Sequence, residues 1–136
     1  MSDPTQGNIS IRSENDIVAA RRVVRDLATR LCFGVTDVTR VITAASELAR
    51  NVFLYAGAGT MWWSTLDRAG AVGLELRFED HGAGISDVEL AMKPGYSTSR
   101  GLGLGLPGAK RLMDEMEIHS EVGKGTTVTV RKWLSK

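Results

Sequence analysis

Gly101-Leu102-Gly103-Leu104-Gly105-Leu106-Pro107-Gly108 is the stretch that decides how this chain folds. Gly103, Gly105 and Gly108 spell G-x-G-x-x-G, the spacing that opens the first helix of a dinucleotide-binding parallel sheet. That reading needs a buried strand directly before the glycines and a parallel strand after the helix. The preceding residues are Gly95-Tyr96-Ser97-Thr98-Ser99, which carry no strand period, and the residues beyond the helix read as a hairpin. A doubly wound fold is therefore set aside. There remains a loop from Lys93 to Gly105, dense in Gly, Ser and Thr, opening a helix predicted over about 106–116. Pro107 suits the first turn of that helix, and Leu112, Met113 and Met116 are its expected core side. Free backbone N–H groups at such a helix start, preceded by glycines, form a ready anion site.

Upstream, Asn8 to Ser13 reads as a strand with Ile9 and Ile11 on one face. From Asn15 to about Phe33 the apolar period is helical, with Ile17, Ala20, Val24, Leu27, Ala28 and Leu31 on one side and Gly34 as the expected stop. A second helix is predicted from Thr36 or Asp37, both competent N-caps, to about Tyr55. Its core face is Val38, Val41, Ile42, Ala45, Leu48, Ala49, Val52 and Phe53, and Gly57 and Gly59 end it. The period then shortens to that of strands, over Met61–Leu66 and Ala71–Glu79, around the turn Asp67-Arg68-Ala69-Gly70. A corner, Asp80-His81-Gly82-Ala83-Gly84, and a single helical turn at Asp87–Ala91 lead into the glycine-rich loop. Downstream, Glu117–Val122 and Thr126–Trp133 flank the turn Gly123-Lys124-Gly125. The order β-α-α-β-β-α-β-β predicts one α/β domain over residues 1–136, a two-layer sandwich with three helices on one face of a mixed, mostly antiparallel sheet.

Composition bounds the function. The chain has 136 residues, 43% of them hydrophobic, which is enough for one core without metal or disulfide staples. Its single cysteine, Cys32, lies in an apolar helical pattern and reads as a small core residue. A net charge of +1 leaves no electrostatic footprint for nucleic acid or an anionic membrane. No apolar run approaches a membrane span, and Met1 to Ser10 has neither the basic start nor the apolar stretch of a signal peptide, so the expected compartment is the cytoplasm.

Two further places could carry chemistry. At 100° per residue, Glu47 and Asn51 lie within about 40° of each other on the polar face of the second helix. There they either address one ligand together or are two solvated surface residues. Asp80 stands at the end of an apolar strand, with Gly82 and Gly84 just beyond. That arrangement suits a backbone passing close to a flat ligand, or an ordinary tight turn. Other chemistries fall away. Gly123-Lys124-Gly125-Thr126 lacks the Ser or Thr of a P-loop after its lysine. His81 and His119 have no zinc spacing. Glu47 and Asp80 lack the aromatic cleft of a glycosidase.

Taken together and in order, these segments resemble the GHKL ATP-binding superfamily of gyrase, heat-shock chaperone, histidine kinase and mismatch-repair proteins. Glu47-Leu48-Ala49-Arg50-Asn51 is similar to its N box, Asp80 to Gly84 to its first glycine box, and Gly101 to Gly108 to its second. Gly123-Lys124-Gly125-Thr126-Thr127 is similar to the glycine-and-threonine box near the end. Within the superfamily the chain resembles the RsbT-type serine/threonine switch kinases of bacterial stressosome modules. That likeness rests on Glu79 to Gly82, Gly95 to Ser99, Gly101 to Glu115 and Lys132-Trp133. Related anti-sigma-factor kinases often carry His where Tyr55 stands.

The resemblance implies a Bergerat-type fold, with ATP and Mg²⁺ as cofactors. It implies that Asp80 accepts the adenine amino hydrogen, supported by a hydroxyl hydrogen bond from Thr126, and that Gly82 and Gly84 let the backbone approach the ring. Asn51 would ligate Mg²⁺. Gly101, Gly103 and Gly105 would hold the β- and γ-phosphates, and Glu47 would take the proton of the incoming hydroxyl. Arg50 and Arg100 are candidates for added positive charge, Arg50 equally for a surface position. The implied partners are a STAS-domain protein as substrate and scaffold and a downstream effector such as a PP2C-type phosphatase. A homodimer is left open. Two other functions fit the same boxes: an anti-sigma factor with kinase activity on its antagonist, and a non-catalytic nucleotide-dependent binding switch.

Overall fold

The computed structural model describes residues 6–85, 92 and 105–134. Along the chain run β1 (Gln6–Ile11), α1 (Glu14–Arg30), α2 (Val35–Ala56), β2 (Gly59–Arg68), β3 (Ala71–Asp80), α3 (Gly105–Leu112), β4 (Glu115–Glu121) and β5 (Gly125–Trp133). This is the predicted order. The strands form one sheet, β1-β2-β3-β5-β4, in which every described pair is antiparallel, where the sequence allowed a mixed sheet. The helical turn expected at Asp87–Ala91 and most of the loop from Lys93 onward, including Gly101 and Gly103, lie outside the described residues.

Strand alternation places Ile11, Met61, Leu74, Leu76, Phe78, Val128 and Val130 on the face that the helices cover, all of them buried. Against them pack Ile17, Ala20, Val24, Leu27 and Ala28 of α1 and Val41, Ile42, Leu48 and Val52 of α2. Ala44, Ala45 and Ala49 are fully buried on α2, and their small side chains let this helix lie close to its neighbours. α3 packs on α2. No helix among the described residues is long and apolar enough to cross a membrane.

The other face of the sheet is held by charge. The Arg131 guanidinium donates to Glu75 (2.7 Å), Glu115 (3.2 Å) and Glu117 (2.6 Å). Arg68 lies 5.4 Å from the Trp133 ring centre, and Arg77 lies 5.2 Å from that of Trp62. A hydrogen bond from the Trp133 indole, aided by Arg131, holds the Glu115 carboxyl below its ordinary value of 4.5.

Element ends depart from expectation, each for a local reason. β1 stops at Ile11 because Ser13 is spent as a cap. Its hydroxyl accepts from Asp16 N–H (3.2 Å), and Asp16 reaches back to Arg12 N–H (2.9 Å). α1 ends at Arg30, short of Phe33. Cys32 takes a left-handed conformation (φ 67°), its N–H donating to Thr29 C=O (3.0 Å) and that of Phe33 to Ala28 C=O (3.1 Å). This is a Schellman cap with cysteine in the usual glycine position. Cys32 is therefore exposed rather than in the core, and Phe33 is buried instead. Gly34 opens α2 as its N-cap, a role expected of Thr36 or Asp37. α3 ends at Leu112, and Met116 belongs to β4, not to the helix. The β2–β3 strands are longer than predicted, and their turn narrows to Ala69-Gly70.

Two measurements check these local arrangements. Replacing Cys32 by Gly removes a left-handed penalty of roughly 1–2 kcal/mol and adds unfolded-chain entropy of roughly half that, so Cys32→Gly should stabilise by about 0.5–1 kcal/mol in urea unfolding. Because the Glu115 carboxyl is held low, its contribution is fully present above pH 4.5 and is lost as pH falls through the lowered value. A pH series of unfolding midpoints should show that loss blunted in Glu115→Gln.

Candidate functional site

β3 delivers Asp80 as its last residue, paired with Gly59 on one side and Thr126 on the other. Alternation with Leu76 and Phe78 sets its side chain on the helix side of the sheet. Asp80 Oδ1 accepts from the Gly82 amide (2.9 Å) and the Thr126 amide (3.3 Å). Two donors on one oxygen fix the carboxylate, and Oδ2 has no hydrogen bond among the described residues. A carboxylate oxygen left open in this way can accept a hydrogen bond from a donor such as an exocyclic amine.

The corner after Asp80 is held by close packing that side chains would block. A Cβ on Gly82 would lie 2.7 Å from Ala56 Cβ, at the end of α2. Gly84 (φ +80°) and Gly125 (φ +124°) have left-handed backbones, and a Cβ there would run into the carbonyls of Glu121 and Asp80 respectively. Gly123 N–H donates to Ala83 C=O at 2.8 Å.

Ser120, on β4, completes the frame, although no sequence motif marks it. Its hydroxyl accepts from Ile85 N–H (2.7 Å), donates to Gly125 C=O (3.2 Å) and lies 2.8 Å from Thr126 Oγ1. The only available hint is its place in β4, directly opposite Thr126. The hydroxyl of Thr126, expected to reach Asp80, meets Ser120 instead, and the backbone amide of Thr126 supports the carboxylate.

α2 brings the other candidates. Its last turn lies against the corner, with Ala56 beside Gly82 and Val52 beside Gly59. At 1.5 Å per residue, Asn51 is about 7.5 Å and Glu47 about 13.5 Å back along the axis from Ala56. Both are half-buried, and neither has a hydrogen bond or ion pair among the described residues. Gly105 opens α3, and residues 105–109 are buried where α3 meets α2. Arg50 points elsewhere: its Nη1 lies 3.5 Å from Glu14 of α1, in an exposed ion pair of little energetic weight. Arg100 is outside the described residues.

A cleft of about 500 Å³ crosses the ends of β3, β4 and β5 and includes Asp80, His81, His119, Ser120, Lys124 and Thr126 in its lining. Glu47 and Asn51 do not line it, so it is only the strand-end side of the region. No cluster of three or more His, Cys, Asp or Glu among the described residues could hold a metal ion.

A carboxylate fixed at a strand end, a glycine corner beside it and a polar helix face running away from both make up the candidate site. Residues 36–136 match the family of histidine kinase-, DNA gyrase B- and HSP90-like ATPases, and the chain belongs to that family. It is 49% identical over 129 residues to serine/threonine-protein kinase RsbT of Bacillus subtilis (strain 168), covering 95% of this chain and 97% of that one. This similarity places it among the RsbT-type protein kinases. It is also 34% identical over 134 residues to the anti-sigma F factor of Geobacillus kaustophilus (strain HTA426), covering 93% of this chain and 90% of the relative. The fold is shared with part of the crystal structure of the RsbU and RsbW domains of Rv1364c from Mycobacterium tuberculosis, with a TM-score of 0.65 at 18% identity; the match covers 96% of this chain and 33% of that one.

Ser120→Ala leaves the Ile85 amide without its acceptor and should cost about 1–3 kcal/mol in urea unfolding. The secondary structure seen by far-UV circular dichroism should stay unchanged.

Proposed function

We propose that this chain is a cytoplasmic single-domain switch kinase. It would transfer the γ-phosphoryl of ATP to a serine or threonine of a STAS-domain partner and then engage a downstream effector, such as a PP2C-type phosphatase. The observation that carries the reading is the Asp80 carboxylate, one oxygen held by two amides and the other presented. Glu47 and Asn51 lie without partners, among the described residues, along the adjoining helix. Adenine, with an amino group where guanine has a carbonyl, satisfies Asp80 Oδ2.

The order along α2 then matches the order of the nucleotide: adenine at the Ala56–Gly82 end, phosphates nearer Asn51, the reacting end nearer Glu47. Gly82 and Gly84 keep the corner thin against the ring, and Thr126 holds Asp80 through its amide. Gly101, Gly103 and Gly105 would lead the chain into α3, whose free N-terminal amides suit anionic oxygens. With no carboxylate cage among the described residues, Asn51 would hold Mg²⁺ together with the phosphate oxygens, and the ion would supply charge neutralisation. Glu47 would accept the proton of the incoming hydroxyl as the hydroxyl oxygen bonds to the γ-phosphorus and the bond from that phosphorus to the β–γ bridging oxygen breaks, ADP leaving. A second reading, an anti-sigma factor with kinase activity on its antagonist, is supported by the 34% identity to an anti-sigma F factor. Homodimerisation fits either reading.

The test is transfer of label from ATP, with Mg²⁺, to a STAS protein encoded beside this one. Wild type should label a serine or threonine, and Glu47→Gln should lower the rate about 10²–10⁴-fold with nucleotide affinity retained. Equal rates in the two proteins would remove Glu47 as base. Capture of a sigma factor, relieved by the STAS protein, would select the second reading.

A further inference from the structure

Lys132 is 7% exposed, the one charged residue buried among the described residues, and it sits on the helix side of β5 in line with Val128 and Val130. An ammonium has three donors and no acceptor. Here its Nζ is 3.2 Å from the Leu112 carbonyl, 3.3 Å from Asp114 Oδ1 and 3.7 Å from Asp37 Oδ1. Each acceptor belongs to a different structural joint. Leu112 is the last residue of α3, and its carbonyl is one of those that a helix end leaves without an internal partner. Asp114 is the hinge between α3 and β4, fixed from its other oxygen by Trp133 N–H (2.7 Å) and through its own N–H by Arg131 C=O (2.9 Å). Asp37 lies in the first turn of α2, where it also accepts from Arg40 (3.0 Å).

We infer that Lys132 is a positioning residue that fixes the phosphate-facing end of α3 relative to the helix carrying Glu47 and Asn51. The inference rests on the reading of the α3 N-terminus as the phosphate site. α3 is a rigid rod of eight residues, about 10 Å between its ends, so the tilt allowed at Leu112 sets where Gly105 lies. The same ammonium pins the first turn of α2, so one buried charge gives both helices a common reference on β5. An apolar residue of similar length would fill the space but leave the α3 carbonyl uncapped and the two carboxylates facing each other. The asymmetry is specific. Asp80, Gly82 and the adenine corner hang on β3, β5 and Ser120, and none of those contacts passes through Lys132. Loss of Lys132 should therefore disturb the phosphates and spare the base.

The experiment compares the affinities of ATP and adenosine, by calorimetry with Mg²⁺, in wild type, Lys132→Met and the triple variant Lys132→Met/Asp37→Asn/Asp114→Asn. The triple removes the stranded negative charges, while the carboxamide introduced at position 114 can still accept from Trp133 N–H. It therefore carries the test should the single variant fail to fold. The expected result is adenosine affinity within about twofold of wild type, an ATP-over-adenosine preference reduced about tenfold, and transfer slowed about 10²-fold, in the triple as in the single variant. A purely structural role predicts recovery of the preference once the triple regains stability, and that recovery would overturn the inference. So would a wild-type preference in Lys132→Met. Absence of any preference in wild type would remove the phosphate-site reading itself.

Discussion

A carboxylate at the end of a strand can be held by backbone amides only if a second strand brings a donor alongside it. In this fold β5 does so by lying between β3 and β4, although β4 precedes it in the chain. The pairing of Asp80 with Thr126 is the contact on which the rest turns. It sets the carboxylate, places Ser120 opposite the same threonine and draws the β4–β5 turn up against the glycine corner. It also demands a backbone without a side chain where the two segments cross, because a Cβ on Gly125 would run into the Asp80 carbonyl. The glycine-and-threonine segment is thus a supporting element for Asp80 as much as a turn.

The helices depend on the same sheet in a different way. α2 is long, and alanines at 44, 45 and 49 let it settle low, with Ala56 touching Gly82 at one end and Asp37 reaching Lys132 at the other. Its polar face needs no partner of its own because burial is complete on the opposite side. Half-buried Glu47 and Asn51 therefore keep hydrogen-bonding capacity that no described residue uses. That is the circumstance the proposed kinase role requires of a carboxylate and an amide at i and i+4.

Much of this is legible in the sequence. The element order, the one-sided helical layer and the apolar faces of α1 and α2 come from period alone, because Ile17, Val24, Leu27, Val41, Leu48 and Val52 can only be shared by a core. The features that escape it lie in local hydrogen bonding that residue type does not disclose. A cysteine takes the left-handed cap that glycine usually holds, because the two capping bonds and the burial of Phe33 outweigh its steric penalty. Met116 looks helical by spacing but is a strand residue, since Asp114 is bonded across to Arg131 and Trp133 and cannot stay in a helix. Ser120 carries no motif, and its importance exists only in the register. Lys132 looks in sequence like one more surface charge near a chain end.

α2, fastened to the sheet at both of its ends, also behaves as a gauge block. Adding or deleting one residue between Asp37 and Ala56 would turn one end of the helix by about 100° and move it about 1.5 Å relative to the other. The Lys132 clasp and the Gly82 contact could not then both survive. Variation in length among chains built this way should therefore be excluded from α2 and collect in the connections, while the span from Glu47 to Asn51 stays constant as the surface around it diverges.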